Sequence, residues 1–546
     1  MKIDNLDHLG LVAGIIDELG LVELTDEILN GKPRVHVTTG QVVKAMLLNC
    51  MGFVSAPLYL FSEFFESKPT EHLLGAGVKP EHLNDDRLGR ALDELYEYGT
   101  SQFFVQSSMA AVEKFGVDVS QGHLDSTSIA VDGEYKKAEP QQSEELVLKP
   151  DKEAEPIAIE IVRGYSRDHR PDLKQFMINL ICSRDGGVPL WLKVGNGNDS
   201  DSQKFAQLMA DFKSNWTANT MMVVDAAFYS APNLQTVKSL KWLSRVPQTL
   251  KISQQLIATA EKELTAVPCD LEDYRMWEVK QNYGGIDQRW ILIESQSRKA
   301  DESLWEPELK KIEQRLHRQL KALAKQIFAC KPDAMEALLN FQASLETHTL
   351  SSYSVETIRT KRPPGRPVQE KVQTDIEGYQ LKAELVRKET TTEEFQQKRS
   401  RFILATNQLD RLEWPAQKLL EEYKNQQKVE RGFRFLKDPL FFTSSVFVNT
   451  PSRVEALALL MALTLLVYSL AERKLRQALE VAKETVADQR KKQTSKPTFR
   501  WIAQRFQGIH LIQVDCSTII SNLSEERDKI IRLLGPPVER YYHLLS

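Results

Sequence analysis

The sequence predicts an α/β protein built on a mixed sheet, with a large α+β insertion and helical regions at both ends. Three observations lead there. Residues 120–247 read in the order strand, strand, strand, helix, strand, helix, strand. Two of those strands flank Asp185-Gly186-Gly187, a strong hairpin signal. The alternation then breaks over 249–400 and resumes with an apolar strand, RFILATN (401–407), followed by a charged helix. Hairpin strands followed by alternating helices and strands make a mixed sheet with helices on its faces.

Taken in order, residues 1–112 read as helical throughout, with N-cap-like starts at VTTGQVVKAMLLNCMGF and DDRLGRALDELYEYG. This region is rich in Asp and Glu, which excludes an arm that wraps DNA by charge alone and leaves open a helical bundle that binds DNA. In SQGHLDSTSIAVDGEY (120–135), His123, Asp125 and Thr127 alternate with Leu124, Ser126 and Ser128, as in a strand. KQFMINLICSRDGGVPLWLKVGNGND (174–199) supplies the hairpin and SQKFAQLMADFKSNW (202–216) a helix. TMMVVDAAF (220–228) is a short buried strand ending in Asp225. APNLQTVKSL (231–240) is a helix, and KWLSRVP (241–247) a strand halted by proline. Residues 118–248 are thus the first part of the core.

The insertion, 249–400, holds a second hairpin around Gly284-Gly285 and a long charged helix over 303–332. It also holds a basic, Pro-rich linker, RTKRPPGRPVQEK (359–371). Residues 401–450 complete the core, and 451–546 form a helical C-terminal region. The apolar run ALALLMALTLLVYSL (456–470) is shorter than the ~20 residues that cross a bilayer and reads as a buried helix.

With 42% hydrophobic and 27% charged residues the chain is a folded, soluble one. Its net charge of −4 means that any nucleic-acid surface comes from local segregation of charge. Five scattered cysteines without a CxxC pair (Cys50, Cys182, Cys269, Cys330, Cys516) fit reduced thiols in a cytosolic compartment and no zinc site. MKIDNLDHLG lacks the apolar stretch of a signal peptide.

Three carboxylates stand out by placement. Asp125 lies mid-strand, where a carboxylate needs a partner. Asp225 sits where an apolar strand ends, the edge at which open α/β sheets present ligands. Glu430 is on the charged helix that follows the insertion. Singly, each has a plain reading: a hydrogen-bond acceptor, a turn residue, a solvated face. Together, from two strands and a helix, they form a set that holds two Mg²⁺ ions roughly 3.5–4 Å apart for in-line phosphoryl displacement.

Around Glu430, in EEYKNQQKVERGFRFLKDPLFF (421–442), Tyr423, Gln426, Glu430 and Lys437 fall within an arc of roughly 60° on a single helix. Arg434 falls close to the same arc. With the strand order in hand, the chain resembles the DDE transposases of bacterial insertion sequences, which have an RNase H-like core. Asp125 and Asp225 match the places of that family's two aspartates. One branch, the insertion-sequence-four type, carries a Y-(2)-R-(3)-E-(6)-K signature. Tyr423, Glu430 and Lys437 reproduce its spacing, with Gln426 where the signature has Arg. GYSRDHRPDLKQ (164–175), DAAFYS, ERGFRFLKDP and PTFRWIAQRFQGIHLI (497–512) are also similar to stretches of that group.

The resemblance implies metal-dependent DNA cleavage at element ends and strand transfer, with Mg²⁺ as the ion and Mn²⁺ substituting for it. It implies terminal inverted repeats and target DNA as partners, a homodimer in the synaptic complex, and a bacterial cytoplasmic protein associated with the nucleoid. Tyr423 and Lys437 inherit contacts to the cleaved end. Gln426 lacks the charge and planar fork of Arg, and Arg434 is the candidate replacement cation.

Secondary candidates are Arg167, His169, Arg170 and Lys174, beside Arg163, as phosphate contacts, with a polar turn of internal Asp–Arg pairs as the plain alternative. Arg366, with Lys361 and Arg362, fits either a minor-groove arm or a flexible linker. RKKQTSKPTFRWIAQRF (490–506) is the clearest basic stretch with interleaved aromatics. Its Arg500 is a DNA-binding candidate, and its Trp501 either stacks on a base or is buried. His123 reads as a packed strand residue. Two rival functions remain: a transposase-derived DNA-binding protein without turnover, and another RNase H-like metal nuclease.

Overall fold

A computed structural model describes the chain except for residues 30–35, 53–60, 134, 136–157, 166–169, 217–218, 267–272, 360–375, 427–431, 433–435, 438–449, 515–516 and 545–546. The chain divides into two compact units. The first comprises Met1–Ser244, Asn282–Gln288 and Thr406–Ser546; the second comprises Arg245–Gln281 and Arg289–Ala405.

In the first unit β1 (Lys2–Asn5) opens the chain. Five further strands, β2 (Gln121–Val131), β3 (Lys174–Ser183), β4 (Pro189–Gly195), β5 (Met221–Val224) and β6 (Lys241–Arg245), lie in the order β4-β3-β2-β5-β6. β3 runs antiparallel to both β2 and β4, whereas β5 and β6 run parallel to β2. Order and directions are those of an RNase H-like core. The hairpin turns where the sequence placed it: Gly186 (φ 83°) and Gly187 (φ 69°) take left-handed backbone that other residues adopt at a cost. Parallel strands need crossovers, and the helices Asp201–Asn215 and Ala231–Thr236 supply them before β5 and β6.

The second unit carries β7 (Thr265–Ala266), β10 (His348–Arg359), β11 (Ile376–Arg387) and most of β8 (Tyr274–Tyr283), β9 (Ile286–Ser295) and β12 (Arg401–Thr406). Four of these lie in the order β12-β9-β8-β7, and β10 pairs with β11 as a separate antiparallel ribbon. The ribbon was not expected. Most of β10 is exposed, so it lacks the apolar alternation that marks a half-buried strand. The helix expected over 303–332 is two helices, Glu306–Ala324 and Lys331–Ala343, the second starting with Pro332 in its first turn.

The C-terminal part of the first unit adds β13 (Val486–Ala487), β14 (Gln493–Thr494), β15 (His510–Val514) and β16 (Ser517–Ile520). β1 pairs antiparallel with β15, so residues 1–112 are not helical throughout. A four-residue strand with a partner 500 residues away leaves no local period to read.

One buried cluster joins the helices Leu9–Leu19, Thr39–Cys50, Asp85–Tyr98 and Thr100–Phe115, the helix Pro451–Ala482, and the β2–β3–β4 face that includes Ile178, Leu180 and Leu192. The helix Pro451–Ala482 is longer than its apolar run because AERKLRQAL continues it. It is long and apolar enough to cross a membrane, yet 83% of its most apolar window is buried inside the protein. Its Arg473 is buried, donating to the carbonyls of Phe115 (2.8 Å) and Gly116 (3.0 Å) and pairing with Asp185 of the hairpin turn (2.6 Å).

The first and last helices approach closely at Gly14, where a Cβ would stand 2.6 Å from Val538 Cγ2 and 2.7 Å from the Pro537 carbonyl oxygen. Backbone cannot rotate away, so Gly14→Val should cost about 1–3 kcal/mol by overpacking. A denaturant midpoint equal to that of the parent protein would contradict this packing.

Candidate active site

The register between β2 and β5 builds the site. Gln121 pairs with Met221, Gly122 with Met222 and His123 with Val223. Each pair differs by 100 in number, and the same offset leads, two residues on, to Asp125 and Asp225. The two aspartates therefore stand level at the ends of these pairings on neighbouring parallel strands, which are spaced about 4.8 Å apart. β5 is buried throughout, and Asp225, one residue past its end, is half-buried, as is Asp125 amid the buried Leu124 and Ser126.

Each carboxylate is oriented by its own backbone. Asp225 Oδ1 accepts from the Ala227 N–H (2.6 Å), capping the short turn Ala226–Phe228, and its carbonyl accepts from Ser244 Oγ (2.9 Å). Behind that turn Phe228 and Tyr229 pack edge-on against the buried Trp242. Tyr229 also stacks on Tyr283 and donates to Gln288 Oε1 (2.5 Å), both within the Asn282–Gln288 stretch of the first unit. Asp125 Oδ1 accepts from the Ser126 N–H (2.8 Å), while Ser126 Oγ donates to Asn179 on β3. His123 is buried, as a packed strand residue should be, and pairs across to Cys182. Burial pushes the Cys182 thiol well above its ordinary range, and the charge of Asp125 adds to this.

Glu430 lies outside the described residues, whereas Glu422 and Gly432, to either side of it in sequence, are described. Glu422, eight residues earlier, is fully buried and pairs with Arg184 (2.5 Å), which also donates to Gln121 at the start of β2 (3.4 Å). Burial raises the Glu422 carboxyl above its ordinary range, with Arg184 and Gln121 opposing. Two residues after Glu430, a Cβ at Gly432 would lie 3.2 Å from the Leu465 side chain. Leu465 and Leu436 share the buried cluster with Leu180, the residue paired opposite Asp125. Among the described residues no group of three or more His, Cys, Asp or Glu could hold a metal. Two neighbouring carboxylates offer hard oxygen atoms of the kind that divalent cations take as ligands.

A family model for the transposase DDE domain matches residues 121–467, more than half of the chain and spanning both aspartates. The chain belongs to that family. A second model, a domain of unknown function (DUF4277), matches residues 1–109 of this DDE transposase chain. No curated protein matches it. A solved piggyBac transposase synaptic complex with hairpin DNA is similar at 8% identity over 93% of this chain and 83% of that one, with a TM-score of 0.36.

Other candidates in this transposase are placed as follows. Tyr423 is half-buried near the end of the helix Ala416–Lys424. That helix is capped at Asn425, and the Gln426 N–H donates to the Tyr423 carbonyl (3.2 Å) in the closing turn. The single helix expected from Tyr423 through Lys437 is therefore interrupted at Asn425 and Gln426, and Gly432 and Leu436 are again helical. Asn425 and Gln426 offer little apolar surface to continue it. Lys437 is half-buried. Arg170 is exposed and engaged by Asp172 through both Nε (3.0 Å) and Nη2 (2.8 Å), the internal pair given as the plain alternative. Lys174 begins β3 and reaches the Tyr135 carbonyl (3.4 Å). The two line a cleft of about 410 Å³ with Arg163 and Asp172. Arg500 is half-buried, and its N–H donates to Tyr468 Oη (3.3 Å). Trp501 is half-buried, with Nε1 donating to the Ala487 carbonyl (2.8 Å). Arg167, His169, Arg366 and Arg434 lie outside the described residues.

Sequence reasoning missed Glu422, Arg184 and the Tyr229–Tyr283 stack. Arg184 and Glu422 are 238 residues apart, and neither carries a pattern that would announce the pair.

Proposed function

We propose that this chain is an active DDE transposase of the bacterial insertion-sequence-four type, cleaving DNA at its element's ends and joining them to target DNA. The observation that carries this reading is the level placement of Asp125 and Asp225 on adjacent parallel strands. Glu430 is the third carboxylate. Chain length permits it: eight residues of chain from Glu422 span up to about 26–29 Å, and about 13 Å of strand separates Gln121 from Asp125.

These three residues would hold two Mg²⁺ ions, or Mn²⁺ in their place, which supply Lewis acidity to the attacking and leaving oxygens of a phosphodiester. The Ala227 and Ser126 amides keep the aspartates aimed. Tyr423 and Lys437 hold the DNA end, with Arg434 serving where Gln426 lacks a charge. Arg167, His169, Lys174, Arg366 and Arg500 add phosphate contacts. In cleavage, water attacks phosphorus and the 3′ oxygen leaves; that 3′-OH then attacks a target phosphorus and displaces the target strand's own 3′ oxygen. The partners are the terminal inverted repeats, target DNA and a second copy of the chain in the synaptic complex, in a bacterial cytoplasm beside the nucleoid. Gln426 favours one other reading, a DNA-binding descendant without turnover.

A duplex carrying the terminal inverted repeats flanking the gene separates the two. With Mg²⁺ or Mn²⁺ the full chain should release 3′-OH ends, and with a chelator it should not. Glu430→Gln should abolish cleavage and spare binding. Cleavage undiminished in Glu430→Gln would end the three-carboxylate assignment, and binding without any cleavage would leave the silent reading standing.

A further inference from the structure

The insertion contains a segregated charge that the active site does not use. From Lys310 to Lys331 the sequence has seven Lys or Arg residues and one acid, Glu313, in a chain whose net charge is −4. The helix Glu306–Ala324 sorts these charges by face. Leu309, Leu316 and Leu320 are buried on one side. Its three glutamates are held within the unit: Arg387 lies 3.4 Å from both Glu306 and Glu313, and Arg399 pairs with Glu308. Lys311, Arg315, Arg318, Lys321 and Lys325 are all exposed. At about 100° per residue, Lys311, Arg315, Arg318 and Lys325 fall within about 80° of one another and opposite the three leucines. They extend over about 21 Å of helix.

We infer that this face is a docking surface for duplex DNA, gripped by its phosphates without regard to base sequence. A duplex carries a charge every ~1.7 Å of its axis, so a straight cationic ridge of this length meets many phosphates at once. The glutamates that could neutralise the ridge are turned to Arg387 and Arg399. The lysine and arginine side chains have the length and freedom to follow a backbone but lie too far apart to read a single base pair. The identity of the polyanion as DNA rests on the transposase reading; the cationic ridge does not.

The test uses the full chain and the variant Arg315→Gln/Arg318→Gln/Lys325→Gln, with fluorescence anisotropy on a scrambled-sequence duplex across a salt series. All three side chains are exposed, so the thermal midpoint should stay with that of the parent protein. Removing three phosphate contacts should make the slope of log affinity against log salt less steep by about 2.7. The fall in affinity between about 50 and 200 mM salt then becomes about 40-fold smaller. The loss should be equal on a terminal-repeat duplex, and Arg315→Lys/Arg318→Lys should keep the parent slope. An unchanged slope overturns the inference, as does a loss confined to the repeat sequence. Asp125→Asn run beside it separates the two claims: it should keep the binding slope, and its cleavage reports on the transposase reading alone.

Discussion

Asp125→Asn and Asp225→Asn should each lower metal-dependent strand cleavage by about a thousandfold or more, which is about 4 kcal/mol of transition-state stabilisation. Both changes are isosteric and keep the local scaffold. Asparagine at 225 still presents Oδ1 to the Ala227 N–H, and its backbone still accepts from Ser244. Asparagine at 125 still presents Oδ1 to the Ser126 N–H. What each change removes is the negative charge that two divalent ions require. Melting temperature and duplex affinity should therefore remain near those of the parent protein while cleavage disappears. Cleavage that survives in either variant would remove that residue from the site. A variant that melts well below the parent would instead assign the carboxylate to the fold.

The level pair of aspartates was legible because each strand announces itself. The sequence alternates around Asp125, although β2 is buried on both faces there; β5 is a short apolar run that stops at Asp225, and the Asp185-Gly186-Gly187 turn fixes the hairpin between β3 and β4. Sequence places the two residues on strands; only the parallel register, Gln121 opposite Met221, shows that they stand at one height. The features that escaped share a physical cause. β10 and β11 are held by pairing with one another over 12 residues each while most of β10 faces solvent, so burial writes no alternation into its sequence. The Arg184–Glu422 pair and the stack of Tyr229 on Tyr283 depend on chain segments far apart, and their residue types are common on any surface. The helix through Tyr423 differs in another way. A favourable wheel from Tyr423 to Lys437 predicts one continuous helix, whereas the helix closes at Asn425 and helical residues return at Gly432 and Leu436.

Arg401→Met should destabilise the second unit by about 3 kcal/mol, because it removes one of the two guanidinium groups that compensate a buried carboxylate. Arg401 begins β12 and is 1% exposed, in a stretch whose sequence reads as an apolar strand. Its Nε donates to Glu294 Oε2 (2.7 Å), its Nη1 to the Ile257 carbonyl (2.6 Å), and its Nη2 pairs with Glu261. Glu294, fully buried, also accepts from Arg275 Nε (3.0 Å) and Gln296 (2.8 Å). Burial alone would push the Glu294 carboxyl up; hydrogen bonds from Arg275, Arg401 and Gln296 overcome it and hold it at about 2. A carboxyl depressed on folding contributes stability above its ordinary value of 4.5, and that contribution is lost as pH falls from there through about 2. The shift corresponds to about 3 kcal/mol. Urea midpoints measured across this window should show the parent protein losing stability faster than Glu294→Gln, whose amide has no proton to take up. Equal acid sensitivity in the two proteins, or an Arg401→Met variant as stable as the parent, would show that the network carries no such energy. Conversely, replacing Arg401 and Glu294 together by apolar residues should cost less than the two single changes added, since the charge that each leaves unpaired in the interior is then also removed.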